Sequence, residues 1–204
     1  MPSSFIIGIV GGSASGKTWI LNKLRDIYSE EKICIISQDD YYKPLQDQQK
    51  DEHGVVNFDL PSAIDENAFY TDLLNLSSGN EVRKQEYLFN HPERESQWKV
   101  FNPAPVIVAE GLFLLHNPLI REFLDLKVFL EAPEEIQLKR RLTRDIEERN
   151  VLENVVMHQW EHHVLPAFKN YLLPYRDQAD IIVSHDRFEE GFRQITSYID
   201  NVIA

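Results

Sequence analysis

The chain has 204 residues, of which 43% are hydrophobic and 26% are charged, and its formal net charge is -12 at pH 7. This composition supports a buried core, and the negative charge argues against nucleic acid or an anionic membrane surface as a partner. The longest apolar runs, Phe5–Val10 and Val106–Leu115, are interrupted by Gly or Glu and are shorter than the roughly 20 residues that span a bilayer. With no secretory signal visible, we expect a cytoplasmic protein with no membrane partner.

The single cysteine, Cys34, lies in an apolar run and is expected to be a buried structural thiol.

Short apolar runs alternate along the chain with segments of helical character. Buried parallel strands are predicted at Phe5–Val10, Ile33–Ser37, Val106–Ala109, Lys127–Leu130 and Asp180–Val183. Helices are predicted at Thr18–Ser29, Ile64–Leu76, Pro118–Phe123, Pro133–Arg149 and Val151–Leu173. The alternation indicates a doubly wound α/β sheet in a single domain over residues 1–204. Residues 81–105 interrupt it with alternating polar and bulky side chains, which predicts a β-hairpin insertion.

The first predicted strand leads directly into a phosphate-binding motif. The pattern G-x-x-x-x-G-K-[ST] is formed by Gly11, Gly12, Ser13, Ala14, Ser15, Gly16, Lys17 and Thr18. Glycines let backbone N–H groups turn towards phosphate oxygens, and the start of the following helix adds the positive end of its dipole. Lys17 is expected to bridge the outer phosphates, and the Thr18 hydroxyl is expected to ligate Mg²⁺. The segment is therefore interpreted as a P-loop that binds a nucleoside triphosphate with magnesium.

Carboxylates follow two other predicted strands, at the sheet edge where α/β proteins bind ligands. Glu110 closes one strand and could hold magnesium through water, or it could be a helix-capping or salt-bridged acid. Asp39 and Asp40 follow another strand, and one of them could accept the proton of a substrate hydroxyl. A pair of Asp residues in a loop is also common turn chemistry, so the residues alone leave both interpretations open.

The predicted helix after residue 133 is dense in arginines. Pairing of Arg141 with Asp145 and of Arg144 with Glu148 would make a solvated, salt-bridged face. In so acidic a chain, the same arginines would also suit a lid at about 134–153 that closes over phosphates.

Histidines at positions 158, 162 and 163 raise the question of a metal site. His158 and His162 are four residues apart, but the order His-Gln-Trp-Glu-His lacks the Glu that follows the first His in H-E-x-x-H. Zinc is therefore disfavoured, and histidines on the surface or in a substrate pocket are expected.

Taken together, the motifs resemble the uridine kinase family of P-loop kinases over about Phe5 to Val183. The resemblance is carried by 11–18, Ser-Gln-Asp-Asp-Tyr-Tyr at 37–42, Asn57-Phe58-Asp59, Glu110-Gly111, 140–149 and Pro166-Ala167-Phe168. It implies a P-loop kinase fold with a small hairpin and an Arg-rich helical lid. The implied activity is transfer of the γ-phosphate of ATP or GTP, with Mg²⁺, to the 5′-hydroxyl of uridine or cytidine.

The resemblance also implies roles for individual residues. Asp39 would be the base that receives the 5′-hydroxyl proton. Lys17 and Arg144 would stabilise the negative charge on the phosphoryl group during its transfer. Contacts to the triphosphate would come from Arg144 and Arg149, and magnesium would be held by Thr18 and Glu110. The substrate-binding residues would be Asp59, Tyr87, His91, Arg141 and Gln159, with Tyr87 and His91 contacting the pyrimidine.

Two departures from the family pattern fall on the substrate side. Tyr87-Leu88-Phe89-Asn90-His91 is one residue shorter than the usual Tyr-x-Phe/Tyr-x-x-His, and Asn150-Val151 replaces the usual Gly-Arg-Asp. Lost polar contacts of this kind can change substrate preference. A kinase for another small alcohol, such as a phosphorylated sugar, pantothenate or nicotinamide riboside, therefore stays open, as does a nucleotide-switched binding protein. Oligomeric state is also open, and a homo-oligomer is compatible with the sequence.

Overall fold

The computed structural model describes residues 4–89 and 95–204. Its strands are β1 Phe5–Gly11, β2 Ile33–Ser37, β3 Val82–Gln85, β4 Trp98–Phe101, β5 Val106–Gly111, β6 Leu126–Glu131 and β7 Ile181–Ser184. Its α-helices are α1 Lys17–Ile27, α2 Glu66–Ser77, α3 Pro118–Phe123, α4 Glu134–Glu147, α5 Glu153–Gln159, α6 Leu165–Ala167 and α7 Phe188–Ile203. Two π-helical segments, Trp160–Val164 and Phe168–Leu172, flank α6.

Five strands form a parallel sheet in the order β2-β5-β1-β6-β7, and β3 and β4 form a separate antiparallel pair. The predicted α/β class with a parallel sheet is confirmed. The sheet is parallel because each strand returns through a crossover, and both of its faces are covered by helices and loops. In register, Ile9 of β1 lies opposite Glu110 of β5, and Ser37 of β2 lies opposite the same Glu110.

The core has two parts, one on each face of the sheet. On one face, Phe69 and Leu73 of α2 pack with Tyr41 and Phe113, all fully buried. On the other face, Ile20 and Leu24 of α1 pack with residues of α7. The predicted elements end at Asp180–Val183 and omit α7, although its buried Phe192, Ile195 and Ile199 follow the helical spacing i, i+3, i+7.

Local signals explain where several helices begin. Gly16 precedes α1 with φ of 116°, a left-handed conformation that glycine adopts without steric cost. The side chain of Asp65 caps α2 by accepting a hydrogen bond from Ala68 N, and Asn117 caps α3 in the same way. Within the described residues, no helix combines the length and apolar character needed to cross a membrane.

Candidate active site

A cavity of about 970 Å³ opens at the carboxyl ends of β1, β2 and β5. Ser13, Ala14, Ser15, Gly16, Lys17 and Thr18 line one part of it. Gly11 ends β1 and Gly12 follows, and both are buried behind the loop. The P-loop motif therefore presents its second half to an open cavity, which is the arrangement that phosphate binding requires.

The side chain of Lys17 is folded back onto the loop. Its Nζ donates hydrogen bonds to the carbonyl oxygens of Gly11 at 2.8 Å and Gly12 at 3.3 Å. Burial lowers the pKa of Lys17, and the nearby carboxylates of Glu110 and Asp39 oppose that shift.

The buried Glu110 lies on β5 beside the cavity. Its carboxylate accepts a hydrogen bond from the hydroxyl of Ser37, on the neighbouring strand β2. Burial and the negative charge of Asp39 raise the pKa of Glu110 above its usual range, although Lys17 acts in the opposite direction. The oxygen donors Thr18, Glu110, Ser37 and Asp39 are of the kind that Mg²⁺ prefers, so the residues present fit a magnesium ion.

The structure separates the two adjacent acids that the sequence leaves equivalent. Asp39 is exposed and lines the cavity. The side chain of Asp40 is only 6% exposed, and both of its oxygens are bound by Lys99 Nζ, at 2.7 and 3.0 Å. Asp40 therefore forms a structural ion pair with Lys99, which joins this loop to β4. Of the two acids, Asp39 is the one whose carboxylate faces the cavity.

Asp145 organises the arginines of α4 and the residues that follow it. It contacts Arg141 Nε at 3.2 Å, Arg144 Nε at 2.8 Å and Arg149 Nη1 at 3.3 Å. The expected pairing of Arg141 with Asp145 is present, whereas Arg144 pairs with its neighbour Asp145 instead of Glu148. One carboxylate therefore holds three guanidinium groups together, and all three of these arginines line the cavity, where they could contact an anion.

Arg141 lies between the P-loop and the opposite side of the cavity. Its Nη1 donates a hydrogen bond to Ser13 Oγ at 2.9 Å, and its Nη2 donates one to Gln159 Oε1 at 3.1 Å. Asp59 also lines the cavity and is buried, which raises its pKa, and the positive charge of Arg141 opposes that shift. Asp59 thus lines the same cavity as the hydrogen-bonded pair Arg141 and Gln159, which lie far from it in sequence.

An aromatic cluster, Tyr42, Phe58, Tyr87 and Phe89, forms beside these residues. Phe89 lies at ring-centroid distances of 5.0 Å from Tyr42, 5.4 Å from Phe58 and 4.8 Å from Tyr87. Tyr42, Phe58 and Phe89 line the cavity, and the guanidinium of Arg149 lies 5.4 Å from the Phe89 ring centroid. His91, the other predicted base contact, lies outside the described residues.

Comparisons with known proteins identify the family of this chain. The family model described as "Phosphoribulokinase / Uridine kinase family" matches residues 6–189. The chain belongs to this family. It is 36% identical over 182 residues to a uridine kinase of Vibrio atlanticus (strain LGP32), covering 87% of this chain and 85% of that protein. It is also 34% identical over 179 residues to uridine-cytidine kinase B of Dictyostelium discoideum, covering 88% of this chain and 74% of that protein.

The fold is shared with solved structures at lower identity. The structure of a possible uridine kinase from Bacillus stearothermophilus has a TM-score of 0.62 and 19% identity to this chain, covering 89% of each. The predicted resemblance to the uridine kinase family is therefore confirmed by sequence, and the solved structure shows that the fold is shared.

Several residues that line the cavity were not predicted from the sequence to belong to the site. Trp19 and Phe188 line the P-loop side, and their rings meet edge to face with centroids 5.2 Å apart. Phe58 and Phe89 line the other side, but an isolated aromatic residue in a sequence does not reveal which surface it faces. Asp145, the centre of the arginine group, was assigned only to one salt bridge.

The histidines after α5 differ from the expectation. Among the residues that the structure describes, His158, His162 and His163 do not line the cavity. His162 is exposed, as expected, but the side chain of His163 is 2% exposed and is hydrogen-bonded to Asp51. The interpretation as surface or substrate-pocket histidines is therefore wrong for His163, because a distant loop covers it.

Proposed function

We propose that this chain is a nucleoside kinase that transfers the γ-phosphoryl group of ATP or GTP to the 5′-hydroxyl of uridine or cytidine. The observation that carries the proposal is the continuity of one cavity from Lys17 of the P-loop, past Asp39, to Phe58 and Phe89. A phosphate cradle at one end and aromatic rings at the other suit a triphosphate donor and a planar base, respectively. The relatives named uridine kinase and uridine-cytidine kinase B support a pyrimidine nucleoside as the acceptor.

On the donor side, the P-loop would bind the β- and γ-phosphates, with Lys17 donating to their oxygens. The Thr18 hydroxyl would ligate Mg²⁺ directly, and Glu110 would hold it through water. The ion would neutralise charge on the β- and γ-phosphate oxygens. Arg144 and Arg149 would contact the triphosphate from α4 and the loop after it, held in position by Asp145.

In the transfer step, the 5′-oxygen would form a bond to the γ-phosphorus while the bond from that phosphorus to the β,γ-bridging oxygen breaks. The products would be the nucleoside monophosphate and ADP or GDP. Asp39 would receive the proton of the hydroxyl, since its carboxylate faces the cavity free of the lysine that binds Asp40. Lys17 and Arg144 would stabilise the charge of the transition state.

On the acceptor side, Asp59 and Arg141 would hold the ribose hydroxyls. Gln159 would orient Arg141 through the hydrogen bond between them. The base would lie against Phe58 and Phe89, and Tyr87, whose ring packs on Phe89 without lining the cavity, would hold that surface in place. His91 would hydrogen-bond the base by the family resemblance alone.

An acceptor panel tests this proposal. Purified protein is incubated with Mg²⁺ and γ-labelled ATP or GTP, and with uridine, cytidine, a phosphorylated sugar, pantothenate or nicotinamide riboside. We expect labelled monophosphate from uridine or cytidine, and none from 5′-deoxyuridine, which lacks the accepting hydroxyl. Labelling of another alcohol with no product from any pyrimidine nucleoside would contradict the acceptor. Release of phosphate to water alone would contradict the kinase activity and favour a nucleotide-switched binding protein.

A further inference from the structure

A group of histidines lies outside the cavity, where the loop around residue 51 meets the helical run that follows Glu153. His158 Nε2 lies 2.6 Å from Asp51 Oδ2, and His163 Nε2 lies 2.9 Å from the same oxygen. All three atoms lie within 4.8 Å of one another. Two further rings flank them: His53 has its ring centroid 5.1 Å from that of His158, and His162 lies at 4.6 Å.

The helical run departs from α-geometry at the point that aligns the two histidines. Residues five apart in an α-helix point about 140° away from each other, so His158 and His163 would not share a face. The segment Trp160–Val164 is π-helical, and Leu165 N donates to Trp160 O, five residues earlier. This wider turn brings His163 to the same side as His158, and π-segments of this kind are frequent at functional sites.

The carboxylate is held so that one oxygen faces the two rings. Asp51 Oδ1 accepts backbone hydrogen bonds from His53 at 2.9 Å and from Val55 at 2.8 Å. Those bonds leave Oδ2 directed at the imidazoles. The three ligand atoms therefore converge before any ion is bound, on a site that is open to one side, because the side chain of His158 is 22% exposed.

We propose that Asp51, His158 and His163 form a binding site for a zinc-type transition-metal ion. Two neutral imidazole nitrogens with one carboxylate oxygen are a ligand set that Zn²⁺ uses, with a fourth position left for water or another ligand. Mg²⁺ prefers oxygen ligands alone, so this site differs in chemistry from the magnesium site proposed at Thr18 and Glu110. The ion would join the loop at residue 51 to the helical run that also carries Gln159.

Metal binding would require the two contacts to Asp51 to lengthen and the two ring nitrogens, which lie within 4.8 Å of each other, to take the ligand spacing of the ion. Bonds of about 2.0–2.1 Å in a tetrahedral site separate neighbouring ligand atoms by about 3.3 Å. The two contacts, at 2.6 and 2.9 Å, would therefore have to lengthen by only about 0.4–0.7 Å. To bind the ion as a neutral imidazole, each ring would present an unprotonated Nε2 and carry its single proton on Nδ1, so a proton held on Nε2 towards Asp51 would move to Nδ1 through solvent.

The test uses the full-length protein without a polyhistidine tag, stripped with a chelator and kept in excess Mg²⁺ without nucleotide. Zinc binding is measured by calorimetry, and Co²⁺ serves as a spectroscopic probe of the coordination. We expect about one zinc ion per chain, and an affinity that falls about tenfold or more in Asp51→Asn and in His163→Asn. His162→Asn, the neighbour that ordinary helical spacing would select, is the matched control and should bind zinc as the wild type does.

Thermal unfolding with and without zinc keeps the test decisive if His163→Asn folds poorly. Zinc should raise the Tm of the wild type and of His162→Asn by the same amount, and should raise that of Asp51→Asn and of the partly exposed His158→Asn by clearly less. The absence of one-to-one binding to the wild type, or equal loss in His162→Asn and His163→Asn, would overturn the proposal and leave a hydrogen-bonded contact only. Because no nucleotide is present, that result would not bear on the proposed kinase activity.

Discussion

Asp39 and Asp40 are adjacent and chemically identical, and the structure predicts that changing each to asparagine has a different consequence. Asp39 is exposed to the cavity, so Asp39→Asn removes the proposed base and leaves the core unchanged. A positioned general base contributes about 10²–10⁴ to the rate, so kcat should fall by about that factor. The loss corresponds to about 3–5 kcal/mol of transition-state stabilisation. ATP binding and the Tm should stay close to those of the wild type.

Asp40→Asn should instead act on stability. Asp40 is 6% exposed and binds Lys99 Nζ through both oxygens, whereas the Lys99 side chain is 41% exposed. Because water can solvate the freed ammonium, the cost should be near that of a hydrogen bond to a charged group, about 2 kcal/mol, and below that of breaking a fully buried pair. For a chain of this length, this lowers the Tm by about 4–8 °C.

The assay combines steady-state kinetics, equilibrium binding of a fluorescent ATP analogue, and thermal unfolding of both variants. Below its own Tm, Asp40→Asn should keep most of the wild-type kcat. Equal loss of kcat in both variants would refute the separation of roles drawn from the structure, and full activity of Asp39→Asn would refute the assignment of the base.

Three further predictions concern the P-loop, the cysteine and the core. Gly16→Ala should weaken ATP binding, because Gly16 has φ of 116° and an added Cβ would lie 2.5 Å from the Phe188 ring. Gly54→Ala is the control: it has φ of 78° with nothing within 4 Å, so it should leave ATP binding unchanged, and equal weakening in both variants would argue against the loop contact. Burial raises the pKa of the Cys34 thiol from 9.0 to about 12, so the folded protein should resist alkylation at pH 8 and the unfolded chain should react. Because the pKa of the thiol is higher in the folded state, its contribution to the free energy of unfolding is fully present below pH 9 and is lost as the pH rises towards 12. Rapid labelling of the native protein would contradict the buried position of this thiol. Phe69→Ala, at a side chain with 0% exposure, should lower the free energy of unfolding by about 3–5 kcal/mol in a denaturant titration.

Much of the fold was readable because the signals are local. The apolar run Ile33–Ser37 coincides with β2, and the predicted Phe5–Val10 differs from β1 by a single residue. Buried parallel strands have to be continuous apolar runs, whatever surrounds them. The helix α7 also carries a local signal, the helical spacing of its buried residues, but it was not predicted. The P-loop was recognisable because glycines, a lysine and a hydroxyl at fixed spacing carry out one chemical task.

Sequence by itself therefore determined the order of the elements, the sheet class and the phosphate-binding loop, since each depends on neighbouring residues. Only the folded chain distinguished Asp39 from Asp40, because the lysine that binds Asp40 comes from a strand 59 residues away. In the same way, Asp51 reaches His163 across 112 residues, and a π-helical turn selects His163 over the His162 that regular spacing favoured. The firmest element in the sequence, the P-loop, identified where a nucleotide would bind. The roles of the residues around it depend on long-range contacts that no local pattern records.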